Sequence, residues 1–109
     1  RALSDALRNR DFRSERQARS ATESLVSQVA GNLRDREASV REMTARALGD
    51  IGFPGAVEPL IDALADDEEP VRRAAGSSLA RICGVDLGDS AEKWKDWWAE
   101  NRSKVLEKR

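Results

Sequence analysis

The stretch Leu33-Arg34-Asp35-Arg36-Glu37-Ala38-Ser39-Val40-Arg41 returns as Leu64-Ala65-Asp66-Asp67-Glu68-Glu69-Pro70-Val71-Arg72, 31 residues later. The echo continues on both sides at the same offset. Leu48 returns as Leu79, Ile51 as Ile82, Val26 as Val57 and Val29 as Leu60. A fixed period of this length is the mark of a repeat architecture, in which each unit buries its apolar face only by stacking on its neighbours. Such stacks present extended surfaces to partners, and the repeat itself carries no reaction chemistry.

The period inside each copy is helical. Apolar residues recur at three- and four-residue steps, nothing alternates like a strand, and Ala, Leu, Arg and Glu are frequent. Six helices are predicted. The first is short, about Ala2 to Arg8. The second runs from about Ser14 to Leu33, opening on the capping box Ser14-Glu15-Arg16-Gln17. Its apolar stripe is Ala18, Ala21, Leu25, Val29 and Leu33. The third opens on a second such box, Ser39-Val40-Arg41-Glu42, and is expected to bury Val40, Met43, Thr44, Ala47, Leu48 and Ile51. Gly52 is placed for a left-handed C-terminal cap. The fourth spans about Ala56 to Leu64 and buries Val57, Leu60, Ile61 and Leu64. The fifth begins at Pro70-Val71, since proline lacks only an N–H that has no helical partner in a first turn. It buries Val71, Ala74, Ala75, Ser78, Leu79 and Ile82 and closes at Gly84. The sixth runs from Asp89 or Ser90 to about Val105. Short connections make neighbouring helices antiparallel.

The text Val57-Glu58-Pro59-Leu60-Ile61-Asp62-Ala63-Leu64-Ala65-Asp66, then Pro70-Val71-Arg72-Arg73-Ala74-Ala75 and Leu79-Ala80-Arg81-Ile82, resembles the short HEAT-like repeats of bacterial proteins, including those of phycobilin lyase-type scaffolds. Residues 25–52 form a weaker copy without the helix prolines, 1–24 match poorly, and 85–109 do not match the repeat. The tail is similar to the Trp-rich ends seen after some bacterial arrays. The resemblance implies an all-α fold, a right-handed α-solenoid pairing outer and inner helices, with the inner ones lining a concave face. It also implies a structural ladder between units made by Asp35, Arg41, Asp66 and Arg72. The expected organisation is a single domain over 1–109: a degenerate N-terminal part (1–24), repeats at 25–52 and 56–84, and a C-terminal cap at 89–106. Ankyrin and tetratricopeptide repeats fit worse, because their signature residues are absent.

Composition narrows the function classes. A chain of 109 residues is one domain, able to bury about 60–70% of its unfolded surface. Its 19 basic and 20 acidic residues nearly cancel, against the clear excess of base expected of a nucleic-acid binder. The charge is uneven: residues 1–20 hold six Arg against three acids, 56–70 hold six acids and no base, and 71–109 nine bases against six acids. The arginines Arg8, Arg10, Arg13, Arg16 and Arg19 read as a solvated helix face; only Phe12 lies among them as an aromatic stacking platform for nucleic acid. One cysteine excludes an internal disulfide, and Cys83 ends an apolar stripe as a small core residue. With no histidine, Cys-His and Ser-His nucleophilic pairs and histidine metal sites are unavailable. The acidic run Asp66-Asp67-Glu68-Glu69 lacks the spaced ligands and turn glycine of a calcium loop and reads as helix-start capping. No phosphate loop or dinucleotide fingerprint occurs. No apolar run is long enough to span a membrane and no secretory signal is visible, which leaves the cytoplasm as the default location.

The expected function is a non-catalytic scaffold that holds a protein partner on its concave face, with no cofactor, metal or nucleic acid. By the period, the exposed partner-binding positions are Glu42, Arg46, Arg73, Ser77 and Arg81. The tail residues Trp94, Trp97 and Trp98 are expected to cap the apolar end of the stack. Trp97 and Trp98 point about 100° apart on a helix, so burial of one leaves the other partly exposed. The alternatives are a C-terminal fragment of a larger multi-domain protein, an enzyme-associated subunit like the phycobilin lyases, and, less favoured, a DNA-backbone binder. Oligomeric state is not expressed in these residues.

Overall fold

Helix α1 (residues 23–30) runs into a 3-10 turn at Gly31–Arg34 and is followed by α2 (Ala38–Ile51). A second 3-10 turn, Pro54–Ala56, leads directly into α3 (Val57–Ala63); α4 (Glu69–Cys83) and α5 (Ala91–Glu107) complete the chain. The computed structural model describes residue 21 and residues 23–107. The expected helix at Ala2–Arg8 and the capping box at Ser14 lie outside them, and no strand occurs among the described residues.

The two copies fold alike for local reasons. In each, an aspartate opens the inner helix. The Glu37 N–H donates to Asp35 Oδ1 at 2.9 Å, and the Glu68 N–H donates to Asp66 Oδ1 at the same distance. The N–H groups of Val40 and Arg41 then turn back to the Glu37 carbonyl, as those of Val71 and Arg72 do to Glu68. Both inner helices end on a left-handed glycine, Gly52 (φ 70°) and Gly84 (φ 77°), a conformation that costs glycine little. The box expected at Ser39–Glu42 does not form. Helix α2 starts one residue earlier, at Ala38, with Glu37 as its N-cap and no side-chain cap bond. Ser39 lies inside the first turn, and the Asp35 side chain has already satisfied the N–H ahead of it.

Inner helices α2 and α4 make the largest helix–helix contact, and α3 packs on α4. Their pairing is parallel and in register. Ser78 Oγ donates to the Ala45 carbonyl (2.6 Å), and Arg81 reaches Asp50, so the chain offset along the contact stays near the repeat length. Close approach is possible because Gly49 faces Ser78; a Cβ on Gly49 would collide with the Ser78 hydroxyl. The core gathers Val26, Leu48, Val57, Leu60, Leu64, Ala75, Leu79 and Trp94. Helix α5 closes it by packing on α3 and the preceding turn.

Four apolar positions differ from the sequence expectation, and one of them, Ala21, is an exposed member of the stripe expected on the second helix. Met43 is 69% exposed, Ile51 44% and Leu25 54%, while Ala45 and Gly49 are buried in place of the two α2 residues. An inner helix has two flanks. Helix α4 covers the flank of α2 that carries Ala45 and Gly49, and the opposite flank carries Met43 and Ile51.

Candidate functional site

The period sets the geometry of the inner-helix surface. Because α2 and α4 are parallel and in register, residues 31 apart in sequence become side-by-side neighbours. Glu42, Arg46, Arg73, Ser77 and Arg81, selected by that period, line one open groove along the α2–α4 seam, together with Asp50, Pro70, Ala74 and Ser78. The side chains of Arg46 and Arg81 are 70% and 61% exposed. Ion pairs cross-link the groove. Arg46 meets Glu42 at 2.7 Å along α2, Arg81 meets Asp50 at 2.6 Å across the seam, and Arg73 lies 3.7 Å from Glu69 along α4. Glu69 is not among the positions that the period selects, whereas Asp50 differs from its copy Arg81 and so marks a place where specificity could lie. The signal for Asp50 was present: it is the copy of Arg81, and opposite charges at equivalent positions of adjacent parallel helices must meet.

At the start of the inner helices, the units are joined by a partly buried ion pair. Arg41 Nε and Nη2 donate to the two carboxylate oxygens of Asp66 at 2.7 and 3.2 Å, a two-pronged arrangement that fixes orientation as well as distance. Arg41 Nη1 also donates to the Asp35 carbonyl, and Arg72 Nη1 to the Asp66 carbonyl, both at 2.7 Å. Burial opposes the charged form of Asp66. The Arg41 hydrogen bonds, the Glu68 N–H and the charges of Arg41 and Arg72 outweigh it and hold the carboxyl below the usual carboxylate range. The same hydrogen bond raises the Arg41 guanidinium above its ordinary value. The Asp35 carboxylate accepts only the Glu37 N–H among the described residues. Of the four residues assigned to a ladder, Arg41 and Asp66 thus meet through side chains, while Asp35 and Arg72 enter through carbonyl bonds.

At the other end, Trp94 is fully buried, donates from Nε1 to the Gly88 carbonyl at 2.8 Å, and meets Trp97 edge-on with ring centroids 6.0 Å apart. Trp98 is buried and its Nε1 reaches Glu58 Oε2 at 3.3 Å; Trp97 is half-buried. The three indoles pack against the second repeat and leave only the flank of Trp97 toward solvent.

A family model for HEAT repeats matches residues 22–106. The chain belongs to the HEAT-repeat family. No curated protein and no solved structure matches it significantly. HEAT repeats generally act as protein-binding scaffolds and are typically non-catalytic, and the all-α stack seen here follows that architecture. The one thiol is poorly suited to chemistry, since burial pushes Cys83 up to about 11 and keeps it protonated at neutral pH. Among the described residues, no group of three or more acidic or Cys side chains is placed to hold a metal ion, and no helix is long and apolar enough to cross a membrane.

Proposed function

We propose that this HEAT-repeat chain is a non-catalytic adaptor that holds a protein partner along the α2–α4 groove. The observation that carries the reading is the convergence of Glu42, Arg46, Arg73, Ser77 and Arg81 on one exposed seam, with acid and base alternating on its α2 side and arginines on its α4 side. Paired surface charges of this kind contribute little to stability, because solvent screens them. Their value lies in recognition: a partner segment with complementary alternating charge exchanges the internal pairs for intermolecular ones, gaining specificity and encounter rate. The Arg41–Asp66 pair ties the start of one inner helix to the turn that opens the next.

The test is a charge reversal on the seam, Arg46→Glu with Arg81→Glu, against a control reversal of exposed α5 lysines, Lys93→Glu with Lys95→Glu. Proteins from the source cell that bind the wild-type chain and the control, and fail to bind the seam variant at equal helicity, support the groove. Equal capture by all three chains rejects it.

A further inference from the structure

The α2–α4 seam is built in rungs, because residues 31 apart stand side by side across it: Glu42 with Arg73, Arg46 with Ser77, and Asp50 with Arg81. The outer rungs each set an acid of α2 against an arginine of α4, and Arg81 meets Asp50 at 2.6 Å across the last of them. The middle rung is different. It sets an arginine against a hydroxyl and holds no acid. Arg46 turns back along its own helix to Glu42, at 2.7 Å. Arg73, one turn before Ser77 on α4, lies 3.7 Å from Glu69, and both of those side chains are largely exposed. Ser77 is exposed, and its hydroxyl has no hydrogen-bond partner among the described residues. The adjacent Ser78 is buried and bonded to the Ala45 carbonyl, so the two serines do different work.

Resting on this groove as the partner's seat, we infer that the middle rung takes an acidic side chain of the partner, an Asp or Glu carboxylate, between Arg46 and Arg73 and over the Ser77 hydroxyl. A guanidinium carries five N–H donors and no acceptor, so each arginine can hold its own acid and still donate to a second. The hydroxyl adds a donor from the α4 side. One carboxylate, with two oxygens and about four lone-pair sites, accepts from all three. A lysine or arginine on this rung would meet two like charges and only the hydroxyl as acceptor. A phosphate fits less well, because Glu42 and Asp50 stand one turn either side of Arg46 and repel a second negative charge. The same two acids favour basic residues one turn either side of the partner's acid. The segment that matches the seam therefore reads base, acid, base at helical spacing.

The acetylated, amidated peptide Lys-Ala-Ala-Ala-Glu-Ala-Ala-Ala-Lys carries that pattern. Copies with Gln, Lys or phosphoserine in place of Glu change the middle charge alone. Each is titrated into the isotope-labelled chain at low salt, reading the Nε–H signals of Arg46 and Arg73 and the Ser77 amide. The Glu peptide should move these signals and bind several-fold more tightly than the Gln copy, with the difference shrinking as salt is added. The Lys copy should leave them in place. Ser77→Asp sets a carboxylate of the chain's own on the rung and should abolish the preference for Glu at unchanged helicity. Ser77→Ala should weaken it. Equal response to the Glu and Gln copies, tighter binding of the Lys or phosphoserine copy, or a seam unmoved by every peptide overturns the acidic occupant. The groove itself is judged separately, by the reversal Arg46→Glu with Arg81→Glu.

Discussion

The two copies of the pattern, on α1–α2 and on α3–α4, differ in how deeply it is buried. Val29, Ala30, Leu33 and Val40 are half-buried, whereas their copies Leu60, Ile61, Leu64 and Val71 are buried. Met43 is open where Ala74 is sealed, and Leu25 is open where Ala56 is sealed. The second repeat has α2 on one side and the tryptophan helix on the other; among the described residues, the first has a neighbour only on its C-terminal side. An apolar stripe in a stacked fold thus marks two potential contacts per helix, and the neighbours determine how many are used. This is the nearest-neighbour logic of repeat proteins, expressed residue by residue.

The largest test of that comparison removes the far neighbour. Trp94→Ala deletes a fully buried indole and its bond to Gly88, and should cost about 3–5 kcal/mol in denaturant unfolding. A loss below about 1 kcal/mol would mean that α5 is not what seals the second repeat. The next test compares the two equivalent aspartates. Asp66→Ala removes both prongs of the Arg41 contact and should cost about 2–3 kcal/mol, against at most about 1 kcal/mol for Asp35→Ala, which loses one N–H partner. Equal losses would show that the joint between units adds nothing beyond local capping. The acid limb sharpens this. The folded state holds the Asp66 carboxyl low, so its ionised form favours folding; that contribution is present in full above the unfolded value and is lost as pH falls through the folded one. The stability gap between wild type and Asp66→Asn should be flat from neutral pH to about 5 and shrink below about 4.

A smaller effect probes the seam itself. Gly49→Ala should destabilise by about 1–3 kcal/mol despite the better helix propensity of alanine, because the new methyl meets the Ser78 side chain and backbone. A gain in thermal midpoint would show that α2 and α4 can separate freely. The smallest effect belongs to the groove. Arg81→Ala should change stability by no more than about 0.5 kcal/mol, since its pair with Asp50 is exposed. A larger, salt-sensitive loss would make this pair part of what holds α2 against α4.

Much of this was legible in the residues. Val57, Leu60, Ile61 and Leu64 declared the inner face of α3, and Gly52 and Gly84 declared both helix ends, because periodicity and left-handed caps are local properties. The seam positions Glu42, Arg46, Arg73, Ser77 and Arg81 also followed from the period. The Ser39–Glu42 box misled because a valid local pattern lost to the aspartate turn just ahead of it. Met43 and Ile51 misled because periodicity reports which side of a helix is apolar and not whether anything lies against it. Asp50 was visible as the copy of Arg81, but only parallel, in-register packing turns copies into contacts.

The sequence by itself determined the repeat, its length, the helix ends and the all-α class. Each depends on spacing and backbone preference within a few residues, or on a recurrence that needs no coordinates. Tertiary structure alone decided that Arg41 would grip Asp66 rather than the Asp35 carboxylate of its own unit, that Gly49 would admit Ser78, and that, among the described residues, one repeat would be sealed on both sides while the other had a neighbour on one. Those outcomes depend on how adjacent units stack, and stacking is settled by the distance and direction between surfaces that are far apart in the chain.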